Sequence, residues 1–291
     1  GGAYMKLISL NSYYRAASKD APMEDGYAIN LPIKMFAVWD GVSGPYSKSN
    51  PGLNYGNLTG GQMVGRMISQ NLSSSRINDV SEVIFDANLA VDKEHLKFGK
   101  NPEMWAVAGA CVSACEIRDG GIKIVVIGDC FVLLKDKNGF RFLTNFDQAA
   151  WEFEQKADGY FTECKEKCGG NIGDAWDMYF QYFSDKQFFR ANKNLGRGGH
   201  AMLNGDPTLP NCWSLWSFGE SSGIDIVILG TDGLLPQSET EPNRRNTLET
   251  KLGEIYNSGG ITAIRYWRDS FPNQPHITGY PESTAVEIKL A

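Results

Sequence analysis

The chain has no run of about 18 apolar residues, so it lacks a helix able to span a bilayer, and its N-terminus lacks the basic-then-apolar pattern of a signal peptide. It has no cluster of Lys and Arg, and its net charge is −6, which excludes the concentrated positive surface that nucleic acid or an anionic membrane requires. No Pro/Gly/Ser-rich linker interrupts the 291 residues. With 42% hydrophobic content, one large domain is the simplest organisation. Gly1 to Tyr4 precede Met5 and are expected to be an expression scar, leaving 5–291 as the domain. The expectation is a cytoplasmic, soluble monomer. The sequons at Asn57 and Asn71 carry no weight without a secretory route.

Cysteine is sparse for this length, and the six present (Cys111, Cys115, Cys130, Cys164, Cys168, Cys212) read as reduced thiols. Cys111/Cys115 and Cys164/Cys168 share a spacing of four, but no CxxC or nearby His completes a tetrahedral zinc set. Histidine is scarcer still: His95, His200 and His276 are the three, which disfavours an imidazole-rich metal site.

What is present is blocks of β-rich stretches followed by blocks of helical ones. Residues 27–32 and 33–39 suggest a buried hairpin, and 60–72 and 80–96 carry apolar residues at helical spacing. Residues 106–117, 122–129, 131–135 and 139–143 read as an antiparallel meander, broken at Asp119-Gly120-Gly121 and Lys137-Asn138-Gly139. Residues 148–190 are aromatic-rich at helical spacing, with Gly169-Gly170 between two helices. An aromatic stripe of this kind is read as core. Residues 224–230 (IDIVILG) form the most apolar β-branched stretch and predict a central strand. Helices over 247–257 and 261–269 and a last strand over 284–290 follow. This order does not alternate as a doubly wound fold does, and suggests sheet packed on sheet with helices outside.

Three apolar strands end in an acidic residue: Asp40 after IKMFAVW, Asp129 after IKIVVIG and Asp232 after IDIVILGT. A partly desolvated carboxylate costs several kcal/mol unless it meets a cation or donors. Convergence on a metal would satisfy all three, and Glu24-Asp25 adds two more carboxylates to an oxygen-only set suited to Mg²⁺ or Mn²⁺. Two such ions can activate a shared water and clamp a phosphate, so phosphoester hydrolysis fits. Asp-Gly after a strand is also ordinary turn vocabulary, so spacing alone leaves both readings open.

The ordered segments Met23-Glu24-Asp25, Phe36 to Gly41, Gly109-Ala110 with Val126 to Asp129, Leu143 to Asp147, Leu203 to Pro207, Gly230 to Leu234 and Ser283 to Val286 resemble the motifs of the type-2C metal-dependent Ser/Thr protein phosphatases, in a bacterial-type variant. They span nearly the whole chain. The resemblance implies an α+β fold, a four-layer α-β-β-α sandwich of two antiparallel sheets flanked by helices. It also implies a binuclear Mn²⁺ or Mg²⁺ centre, with a third weaker metal site, where a metal-activated water attacks a phosphorylated protein substrate without a phosphoenzyme.

Carried over, Asp40 bridges both metals, Gly41 offers its carbonyl and Asp232 binds the first metal. Glu24, with Asp25 behind it, serves the second, and Asp129 the third. The chain departs from the pattern at Pro281, where the family has a metal-binding Asp; Glu282 is next and is expected to reach the ion if the chain bends there. Pro236 and Val42 are further departures from an acidic residue and a His. Arg15 and Lys19 are the candidates for the phosphate grip, and Arg15 is preferred because a guanidinium fork holds phosphate bidentately. The alternative is a phosphatase fold that has lost catalysis and serves as a binding or regulatory module. Gly219-Glu220-Ser221-Ser222-Gly223 matches G-x-S-x-G, but a polar loop leading into a strand is the wrong context for a nucleophile elbow.

Overall fold

The computed structural model describes residues 5–16, 22–42, 54–100, 108–188, 191–235, 244–270 and 282–291. Chain order begins with strands β1 (Leu7–Arg15), β2 (Gly26–Asn30) and β3 (Met35–Val42), then the short pair β4 (Asn54–Tyr55) and β5 (Leu58–Thr59). Helices α1 (Gly60–Ser74) and α2 (Val80–Lys97) lead into β6 (Gly109–Arg118), β7 (Gly121–Ile127), β8 (Phe131–Asp136) and β9 (Gly139–Thr144). Helices α3 (Gln148–Lys167) and α4 (Ile172–Phe188) precede β10 (Ser214–Gly219) and β11 (Ile226–Gly230). Helix α5 (Arg244–Asp269) and strand β12 (Ser283–Leu290) close the chain.

Local chemistry sets these boundaries. Pro32 opens the 3-10 turn Leu31–Ile33, and Lys34 in the left-handed region (φ 48°) turns the chain back from β2 into β3. Thr59 and Gln62 form a reciprocal capping box at the start of α1, and Asp79 caps α2 by accepting from the amides of Ser81 and Glu82. Helix α5 breaks at Gly259 and Gly260, whose backbone is not helical, so it is two helices, as the sequence predicts.

Ten strands make two antiparallel sheets, in the orders β1-β12-β11-β8-β9 and β10-β7-β6-β3-β2. The core between them interdigitates Phe36 and Val38 of β3 and Ile124 and Val126 of β7 with Val132 and Leu134 of β8, Val227 and Leu229 of β11, and Val286 and Ile288 of β12. Each such buried side chain contributes about 1.5 to 3 kcal/mol, and their strict period of two fixes the register of both sheets. The outer face of the second sheet packs on α1 and α2 through Ala37, Trp39, Val112 and Ile127 against Val64, Ile68 and Ile84. That of the first packs on α5 through Phe131, Leu133 and Ile228 against Leu248, Leu252 and Tyr256. The expected four-layer sandwich is therefore present.

The sequence reading lacked β1 and β10, which are edge strands of the two sheets. The six cysteines are free thiols, five buried and Cys168 partly so. No helix among the described residues is long and apolar enough to cross a membrane. Pro236, His276 and Pro281 lie outside the described residues.

Candidate metal centre

Both sheets bring strand ends to one edge of the sandwich. Asp40 is near the end of β3, Asp129 is in the turn between β7 and β8, and Asp232 follows β11 by two residues. One carboxylate oxygen from each of these three lies within 4.8 Å of the others. Asp25, just before β2, joins them: its Oδ2 accepts from the Thr231 hydroxyl at 2.9 Å. Thr231 is itself fixed, because its Oγ1 accepts from the Thr284 amide at 2.9 Å and its amide donates to the Thr284 carbonyl at 3.0 Å.

The electrostatics follow from that crowding. Burial raises the Asp40 carboxyl well above the usual carboxylate range, and the charges of Asp25, Asp232 and Asp129 raise it further. Asp25 is raised by burial, then by the charge of Glu282 and that of Asp232, with the Thr231 hydroxyl opposing. Four carboxyls in one desolvated place cannot all ionise without a cation among them. The donor set is oxygen-only and matches hard divalent ions, so the residues present fit the metals the fold implies.

Gly41 stands where backbone approaches closest. A Cβ there would lie 2.6 Å from the Glu24 carbonyl oxygen and 2.9 Å from the Cα of Gly61 in the first turn of α1. Glu24 lies on that same side, its Oε1 accepting from the Thr59 hydroxyl that also caps α1. Asp25 lies beside Asp40 and Asp232, and Glu24 lies toward the start of α1.

Two sequence-predicted residues have protein partners of their own. Arg15 pairs with Asp269 at the end of α5. Side chains alternate along β1, and Tyr13 packs in the α5 layer while Leu10 packs between the sheets, so Arg15 faces α5 and not the carboxylates. Glu282 reaches the site, but its Oε2 accepts from the amides of Glu24 at 2.8 Å and Asp25 at 2.7 Å, and its Oε1 from the Tyr14 hydroxyl at 3.0 Å. Tyr14 and Thr231 were not singled out in the sequence. Thr231 sits inside the Gly230 to Leu234 segment, and Tyr14 follows Leu10 and Ser12 at period two, which is the signal that marks its face. Ser221 lies in the 3-10 turn Glu220–Ser222, with no helix after it, as its loop context predicts.

A scan against protein-family models and a search of curated protein sequences match nothing. The fold does match: the sandwich is that of the bacterial type-2C Ser/Thr protein phosphatases, and solved structures of that class superpose over nearly the whole chain. The catalytic domain of the serine/threonine protein phosphatase PstP in complex with two manganese ions aligns at a TM-score of 0.55 and 12% identity over 99% of each chain. The phosphatase Stp1 from Staphylococcus aureus aligns at 0.56 and 11%, covering 98% of this chain and 96% of its own. The Ser-Thr phosphatase MsPP from Mycobacterium smegmatis, in complex with cacodylate, aligns at 0.54 and 15%, covering 98% and 99%. At these identities the likeness is one of fold.

Proposed function

We propose that the chain is a metal-dependent phosphatase of phosphoserine and phosphothreonine in proteins, using Mn²⁺ or Mg²⁺. The observation that carries the reading is the meeting of Asp40, Asp129 and Asp232 within 4.8 Å at one end of a sandwich of this fold. Asp40, nearest the middle of the charges, would serve both ions, and Asp232 the first. The Gly41 carbonyl and Glu24 flank the α1 side for the second, and Asp129 with Asp232 offers a third, weaker position. When bound, such ions supply positive charge to the phosphate and make water a better nucleophile near neutral pH. The protein's part is to hold the carboxylates in one geometry, where bound cations would offset their mutual repulsion, and to leave attack to water rather than to a side chain of its own. Arg15, turned toward α5, is left out of the phosphate grip. A cytoplasmic monomer acting on phosphoproteins, with no nucleic-acid or membrane partner, completes the proposal.

The test is hydrolysis of a small aryl phosphate and of a phosphothreonine peptide with Mn²⁺. Activity should vanish with excess EDTA and with Asp232→Asn, and persist in Ser221→Ala. Undiminished turnover in EDTA would sink the mechanism. Pro281 in the place of the family's Asp favours a second reading, a metal-poor binding module of the same fold. Titration calorimetry separates the two, since such a module has no tight Mn²⁺ site that Asp232→Asn abolishes.

A further inference from the structure

The chain lacks the aspartate that the family carries before its last strand, and what stands beside the gap is unusually well tied. Glu282 immediately precedes β12, and the period of two from Val286 and Ile288 places it on the face between the sheets, the face that Tyr14 shares on β1. A carboxylate offers about four lone-pair sites. Three are taken in Glu282: two by the amides of Glu24 and Asp25, and one by the Tyr14 hydroxyl. The two amide bonds join residues 257 and 258 apart in sequence and tie the end of one sheet to the loop that enters the other.

Asp25 is held at both ends by this one stretch. Its amide is bound by Glu282, and its carboxylate by Thr231, which in turn hangs on the Thr284 amide. The Asp232-Gly233 turn is seated on the same stretch: a Cβ on Gly233 would lie 1.7 Å from the Glu282 carbonyl oxygen, so only glycine allows this approach. The residues 282–284 therefore set the positions of both Asp25 and Asp232.

We propose that Glu282 is a positioning residue and not an ion ligand: with Tyr14 it clamps the Glu24-Asp25 backbone and aims Asp25 into the cluster as the fourth carboxylate, in the role of the aspartate missing at Pro281. The proposal rests on the metal-centre reading above. It explains how a carboxylate displaced by one residue can serve the site without reaching the ion. A glutamine at 282 keeps an acceptor oxygen for the two amides and a polar group for Tyr14, whereas an alanine releases all three.

The experiment uses the full chain with Mn²⁺ alone as probe, read by calorimetry, together with amide hydrogen exchange of residues 24 and 25 in metal-free protein. Asp25→Asn should weaken Mn²⁺ binding by about tenfold or more, as loss of a ligand does, and Glu282→Gln by no more than about threefold. Glu282→Ala should weaken it by about tenfold and lose the protection of the two amides, with Tyr14→Phe intermediate in both. If Glu282→Ala fails to fold, Tyr14→Phe carries the test. Glu282→Gln weakening Mn²⁺ as much as Asp25→Asn does would make Glu282 a ligand and overturn the proposal. So would unchanged amide protection in Glu282→Ala, or in Tyr14→Phe where the alanine variant does not fold. If the wild-type chain bound no Mn²⁺, the phosphatase reading would fail, and the clamp would still stand or fall on the exchange data.

Discussion

Asparagine in place of Asp40 should stabilise the metal-free protein while abolishing its response to Mn²⁺. Oxygens of Asp129 and Asp232 lie within 4.8 Å of one on Asp40. At an effective dielectric of about 20, each such like-charge pair costs about 3 kcal/mol. The protein limits that cost by holding the Asp40 carboxyl above its usual range, so proton uptake keeps the gain on removing the charge to no more than about the cost of one such pair, about 3 kcal/mol. For 291 residues the unfolding entropy is about 0.6 kcal/mol per kelvin, so the midpoint should rise, by up to about 5 °C.

The pH dependence has a definite sign. The folded-state value of Asp40 lies above the unfolded one, so its contribution is fully present below the unfolded value and is lost as pH rises through the raised folded value. Wild-type stability, relative to Asp40→Asn, should therefore fall from acid to neutral pH. Thermal unfolding followed by circular dichroism, in EDTA and again with saturating Mn²⁺, measures both effects. At about a hundred times its dissociation constant, Mn²⁺ should add about 2.7 kcal/mol to the wild type and nothing comparable to the variant. A metal-free variant that melts below the wild type, or an equal Mn²⁺ shift in both, would refute the reasoning.

His95 should give a slope of the opposite sign. Burial pushes its imidazole down to about 4 from 6.5, so its contribution is intact above the unfolded value and is lost as pH falls from about 6.5 toward 4, amounting to about 3 kcal/mol. Its ring joins α2 to the Tyr55 hydroxyl at 2.5 Å and the Asn204 carbonyl at 3.0 Å, and urea melts of His95→Gln across that window should lose the slope. Gly233→Ala should destabilise by about 3 kcal/mol or more, because its methyl group meets the Glu282 carbonyl, and calorimetric Mn²⁺ affinity should fall with it. Asp79→Ala should cost about 1 to 2 kcal/mol in chemical denaturation, since it removes the cap of α2 and the carboxylate that Lys123 grips with both oxygens at 2.8 Å.

The interior of the fold was legible in the sequence because its strands are buried on both faces. IKMFAVW and IDIVILG have no other use than a sheet core, and the Gly259-Gly260 break and the Gly169-Gly170 turn announce themselves by residue type. The edge strands were not legible. In β10 side chains alternate between half-buried and exposed, and β1 (LISLNSYYR) is mixed in polarity, so neither has the apolar density that marks a central strand. At the site, Asp40, Asp129 and Asp232 were visible as acidic ends of apolar runs. The placement of Asp25 beside them was not, because it is fixed by Glu282 and Thr231, more than 200 positions away. The outward turn of Arg15 likewise depends on the register Arg15 to Ser283 between the first and last strands, which no local pattern encodes.

Among the described residues, the hairpin of α3 and α4 has a small core of its own: Ala157, Cys164, Ala175 and Tyr179 form a cluster with Phe161 and Trp176 that is separate from the three cores of the sandwich. Residues on its solvent side are thus free to vary in shape and charge without disturbing the layers beneath, and the four aspartates inherit their placement from strands whose register this hairpin does not set.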